Sequence, residues 1–105
     1  MNRALVEDAL TCLLRSVPEG SRVILFGSQA RGDAGPDSDL DVLVIEPDVP
    51  DRSSETIRLS TLLGRRLIPA DVVVMSRAMY ERQCQVPNTL AYRATREGQV
   101  HEPIR

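Results

Sequence analysis

Two aspartates at positions i and i+2, Asp39 and Asp41, follow a Gly27-Ser28 pair after ten intervening residues. The apolar run Val23-Ile24-Leu25-Phe26 leads into this stretch, and Val42-Leu43-Val44-Ile45 leads out of it. Side chains two apart on a strand project from the same face. The spacing therefore sets two carboxylates side by side, facing a loop that begins with Gly-Ser. Like charges held that close raise each other's proton affinity unless a cation sits between them. Hard divalent ions such as Mg²⁺ take carboxylate oxygens and bridge them to substrate phosphates. The pattern predicts a metal–nucleotide site. Gly27 permits the close backbone approach of a phosphate-cradling turn. Ser28 adds a hydroxyl at a helix start, where anions are favoured.

The stretch from Gly27 to Asp41 resembles the Gly-Ser-x10-Asp-x-Asp motif of the DNA polymerase β-like nucleotidyltransferase superfamily. With Ala30-Arg31-Gly32 and Ser38-Asp39-Leu40-Asp41, it is most similar to the minimal nucleotidyltransferases of prokaryotes. The motif is long and gapped at fixed spacing, and such domains have about the length of this chain. The resemblance implies a mixed central sheet, with the acid-bearing strands side by side and the Gly-Ser turn holding the triphosphate.

Nucleotidyl transfer attacks the α-phosphorus of a nucleoside triphosphate and expels pyrophosphate. Negative charge builds on the phosphate oxygens, so positive charge and positioning do most of the work. Two divalent ions, about 3.5–4 Å apart, can hold the nucleophile and leaving group in line. Asp39 and Asp41 are the expected ligands of both. A third carboxylate is expected on a neighbouring strand, to ligate metal and accept the nucleophile's proton. Asp71 is the candidate, thirty residues after Asp41 and at the start of Ala70-Asp71-Val72-Val73-Val74. An acid there is costly to bury unless paired or metal-bound; an exposed strand-start Asp or a cap is the plainer alternative. Arg31 either contacts phosphate or braces the loop by pairing with Asp39 or Asp33. Arg65 and Arg66 read as a solvated helix end before pyrophosphate contacts, and Tyr80 and Tyr92 as core or interface. Asp33, Asp37, Asp48 and Asp51 read as turn formers.

These groups need a scaffold. Apolar residues from Leu5 to Val17 recur with helical period within Asn2 to Val17, and Pro18-Glu19-Gly20-Ser21 ends that helix. Arg22 to Phe26 and Leu40 to Ile45 read as strands, with a short helix from Ser28 to Arg31 between them. Asp51 or Ser53 caps a helix to about Arg66, with Ile57, Leu59, Leu62, Leu63 and Leu67 as apolar positions. Ala70 to Met75 is a third strand. Ser76 caps a helix through Cys84, and Asn88 caps another that ends near Gly98. The tail from Gln99 onward is weakly specified. The expected fold is α/β, a small mixed central sheet flanked by helices: the nucleotidyltransferase, or polymerase β-like palm, fold in one domain, residues 1–105.

Composition narrows the function. At 105 residues the chain has room for one core. A formal net charge of −2 supplies no basic field for a duplex or a long RNA. All 13 basic residues are arginine, which removes lysine nucleophiles and Schiff bases. Cys12, Cys84 and the sole histidine, His101, fit no metal-ligand spacing, so free thiols are expected. No signal-peptide core or stretch of membrane length is present, and a cytoplasmic chain is expected.

The family resemblance further implies that the chain is the antitoxin of a type VII-like toxin–antitoxin pair. Such a protein transfers AMP from ATP, with Mg²⁺, to a tyrosine of a HEPN-domain toxin encoded nearby, in a hetero-oligomer. The alternatives are a non-catalytic antitoxin that occludes its partner, and a small-molecule nucleotidyltransferase whose acceptor domain comes from a partner subunit.

Overall fold

The computed structural model describes residues 2–32, 35 and 39–103. Among these residues nine elements follow one another: α1 (Arg3–Ser16), β1 (Arg22–Phe26), α2 (Ser28–Arg31), β2 (Leu40–Glu46), α3 (Arg52–Arg65), β3 (Ala70–Ser76), α4 (Arg77–Gln83), α5 (Leu90–Glu97) and β4 (Gln99–His101). The strands form one mixed sheet in the order β3-β2-β1-β4. β1 runs antiparallel to both β2 and β4, and β2 runs parallel to β3 through the crossover helix α3. The expected mixed sheet flanked by helices is thus the observed one. Asp33 and Asp37 lie outside the described residues.

Strand alternation divides the core into two layers. Val23, Leu25, Val42, Val44, Val72 and Val74 pack against α1 and α3, through Leu10, Leu13, Leu59 and Leu63. Ile24, Phe26, Leu43, Ile45 and Met75 face the other way, onto Tyr80 of α4 and Ala91 and Ala94 of α5. Each such aliphatic side chain contributes about 1.5–3 kcal/mol when fully buried, so a chain with three aromatic residues still closes a core. Small residues let α5 lie close to the sheet. At its end a Cβ on Gly98 would collide with Ala94 O and Ile24 Cγ2.

Several local expectations need correction. Leu67 is not a core position of the third helix: it adopts a left-handed φ of 57° and is 87 % exposed. It occupies the left-handed closing position after α3, where Leu67 N donates to Gly64 O at 3.0 Å and Ile68 N to Leu63 O at 3.1 Å. Ile57 lies about 200° round the helix from Leu59 and is 66 % exposed. The cap of α5 is Thr89 rather than Asn88. The Thr89 hydroxyl accepts from Tyr92 N at 3.1 Å and also lies 2.9 Å from the Gln83 and Val86 carbonyls. Asn88 supplies the left-handed turn before it, at φ 72°. Gln99–His101, read as weakly specified, is strand β4 on the free edge of β1. Cys12 and Cys84 are free, as expected. Among the described residues no helix is long and apolar enough to cross a membrane.

The far end of β2 carries a buried acid. Glu46 is 4 % exposed and its Oε2 has no hydrogen-bond partner among the described residues. Burial, then a hydrogen bond with Glu55 and that carboxylate's charge, push Glu46 up to about 8. Arg58 donates to both Glu55 oxygens, at 2.7 and 2.8 Å, and holds Glu55 well below the usual range. Folded Glu46 keeps its proton to a higher pH than the unfolded chain does. Its contribution is therefore full below about 4.5 and is lost as pH rises through about 8. Urea unfolding should show stability falling by about 1–2 kcal/mol between pH 5.5 and 8.5, after allowance for water at this open corner. Glu46→Gln should flatten that slope. An undiminished slope in the variant would assign the pH dependence elsewhere.

Candidate active site

The Gly27-Ser28 turn leaves the end of β1, and Asp41 lies at the start of β2 directly beside it. Phe26 pairs with Asp41 across the antiparallel ladder, and Asp41 pairs with Asp71 across the parallel one. Neighbouring strands run about 4.8 Å apart, so the register brings the Asp41 and Asp71 backbones abreast. Alternation then fixes the direction. Asp41 shares a face with Leu43 and Ile45, Asp71 with Val73 and Met75, and Phe26 with Ile24, so all three point to the α4/α5 side.

The turn is shaped around the carboxylate. Gly27 has φ 73° and ψ −156°, a conformation essentially confined to glycine. A Cβ built there would collide with Asp41 Oδ2 and lie 3.1 Å from its Cγ. Glycine is thus required twice, by the backbone and by the acid against it. Ser28 begins α2, a single turn closed by Arg31 N donating to Gly27 O at 3.1 Å and Gly32 N to Ser28 O at 3.0 Å. Its side chain is half-buried beside Gly27.

The electrostatics agree with this placement. Burial, then the charge of Asp71, raise the Asp41 carboxyl above its ordinary range, and Asp39 adds in the same direction. Arg93 opposes them most strongly among the cations, followed by Arg31. Asp39, one residue before β2, is exposed, as is Asp71 at the outer strand. Asp39, Asp41 and Asp71 therefore act as one negative site, but among the described residues no three acid, His or Cys side chains converge into a ready-made metal cage. Asp41 and Asp71, abreast at an open sheet end, fit a hard cation that keeps water or substrate oxygens in its shell.

Arg31 Nη1 lies 3.6 Å from Glu97 Oε2 on α5. Arg66 pairs with Asp8 at 3.1 Å. Arg65 is exposed at the end of α3. Tyr80 is buried with its hydroxyl bonded to Thr95, and Tyr92 lies half-buried under Arg96. Asp51 caps α3, accepting from Ser54 N at 3.1 Å.

The residue missed from sequence is Arg93. It comes from α5, the second helix after the last strand read from sequence, and its guanidinium carbon stands 5.6 Å from the centre of the Phe26 ring. No local signature marked it: α5 meets the face of β2 that Asp41 shares through Ala91 and Ala94, a docking distant in sequence.

The profile of the nucleotidyltransferase domain family matches residues 6–95. No curated protein matches the chain at sequence level. Among solved structures, a candidate minimal nucleotidyltransferase is 30% identical at a TM-score of 0.53, over 92% of this chain and 89% of that one. A candidate nucleotidyltransferase from Sulfolobus solfataricus is 24% identical at a TM-score of 0.51, over 75% of this chain and 70% of its own. A chain of a toxin–antitoxin complex with AMP-PNP shares the fold at a TM-score of 0.55 and 19% identity, over 100% of this chain and 76% of that chain. With the Gly-Ser turn, the paired acids and a match across most of its length, the chain belongs to the nucleotidyltransferase domain family, among the minimal nucleotidyltransferases.

Proposed function

We propose that this chain, working as one domain, is an Mg²⁺-dependent protein adenylyltransferase that moves AMP from ATP onto a tyrosine of a HEPN-type partner toxin, as the antitoxin of the pair. The observation that carries the transferase part is the register of Asp41 beside Asp71, with the Asp41 carboxylate seated against Gly27. The fold shared with a chain of a toxin–antitoxin complex supports the antitoxin part. The resemblance of the Gly27–Asp41 motif to minimal nucleotidyltransferases supports the acceptor.

In this reading each residue has a task. Gly27 leaves room for phosphate beside the acids. The Ser28 hydroxyl donates to a phosphate oxygen, and Arg31, tied to Glu97, braces the turn. Asp39, Asp41 and Asp71 would hold the divalent ions, which supply positive charge where the phosphate oxygens gain negative charge. The acceptor oxygen forms a bond to the α-phosphorus while the bond to the pyrophosphate oxygen breaks. Asp71 takes the hydroxyl proton, and the electron pair leaves with pyrophosphate.

The test uses the purified chain, α-labelled ATP, Mg²⁺ and the protein encoded beside it. The chain alone should incorporate little label. The partner should gain AMP, visible by intact mass, and stay neutralised after the chain is removed. An AMP adds charge that obstructs a surface relying on electrostatic attraction to RNA. An unmodified partner that is still neutralised, and equally by Asp41→Asn, would make occlusion the better account.

A further inference from the structure

We propose that Arg93 is a phosphate contact of this site, holding the nucleoside triphosphate's anionic tail from the α5 side; the inference rests on the transferase reading above. Two observations converge on it. The Arg93 guanidinium sits over Phe26, a buried ring immediately before Gly27 and in register with Asp41. A ring face holds a guanidinium without consuming its hydrogen-bond donors. Finally, Arg93 lines a cavity of about 700 Å³ at the start of α5, together with Tyr92 and Arg96.

The neighbouring cation is differently occupied. Arg31 is committed to Glu97, whereas among the described residues Arg93 is exposed and forms no ion pair. Even with two divalent ions in place, three carboxylates and a triphosphate leave a surplus of negative charge. A planar guanidinium matches phosphate oxygens in bidentate fashion, and Arg93 stands where that surplus gathers. Its role is contact with substrate rather than support of Asp41, and the two make different predictions.

Calorimetry of the purified chain with Mg·ATP, with inorganic tripolyphosphate and with adenosine separates them. Arg93→Gln should weaken ATP and tripolyphosphate binding tenfold or more, with adenosine unchanged within twofold. Arg93→Lys should recover part of the loss, because the charge remains while the bidentate geometry does not. The melting temperature of Arg93→Gln should stay within a few degrees of the parent, since the residue is exposed. ATP and tripolyphosphate affinities within twofold of the parent, with turnover alone reduced, would overturn the proposal in favour of a residue that positions Asp41. A parent chain that binds neither ATP nor tripolyphosphate would overturn the transferase reading itself, and this one with it.

Discussion

Asp41→Asn should lower AMP transfer by about 10³-fold or more while leaving the folded chain intact. Asn keeps the size of Asp and can still lie against Gly27, but it removes one of three mutually repelling carboxylates. A metal ion at a phosphoryl centre contributes several kcal/mol of transition-state stabilisation, and each 1.36 kcal/mol is tenfold in rate. Losing its central ligand therefore costs decades. Stability should move the other way. Asp41 is half-buried among Asp71 and Asp39, so without metal the variant should melt no lower than the parent. Mg²⁺ should raise the parent's melting temperature in the presence of ATP, and should raise that of Asp41→Asn far less. Melting curves and single-turnover transfer are the two measurements. Transfer within tenfold of the parent would remove Asp41 from the metal site, and a large drop in metal-free stability would make its role structural.

Most of the scaffold was legible because its signals are local. The run Val23 to Phe26 and the run Ala70 to Met75 are short, apolar and bounded by turn residues, which is how fully buried strands read. Asp51 and Ser76 cap helices as their chemistry suggests. What escaped depends on contacts distant in sequence. β4 has one apolar residue, Val100, and exists because β1 offers a free edge. Leu67 fits an apolar stripe on paper, yet the hydrogen bonds that close α3 turn it out to solvent. The same division holds at the site. Gly27, Ser28, Asp39 and Asp41 form one gapped motif, and Asp71 stands out as an acid on an apolar strand. Arg93 and Glu97 carry no local signature; they reach the turn only because α5 docks on the face that the acids share.

Gly27→Ala should be far more damaging than Gly32→Ala, although both glycines have positive φ, 73° and 80°. At Gly32 nothing among the described residues lies within 4 Å of a new Cβ, so the cost is that of a left-handed residue, about 1–2 kcal/mol. At Gly27 two costs combine. The backbone lies in a region essentially reserved for glycine, worth about 1–3 kcal/mol, and the Cβ collides with the Asp41 carboxylate. Overpacking adds about 1–3 kcal/mol, which together gives about 2–6 kcal/mol, a large part of what a small domain possesses. The collision also decides function. Asp41 is held by a strand on both sides, so its side chain must rotate away or the turn must shift. A displacement of about 1 Å at a reacting centre can cost 10²-fold. Urea unfolding should therefore separate the two variants by at least about 1 kcal/mol. Transfer by the folded fraction should fall about 10²-fold for Gly27→Ala and stay within a few-fold for Gly32→Ala. Equal losses in both would mean that the turn matters through its backbone alone, and that the fit of Asp41 against Gly27 has no part in the chemistry.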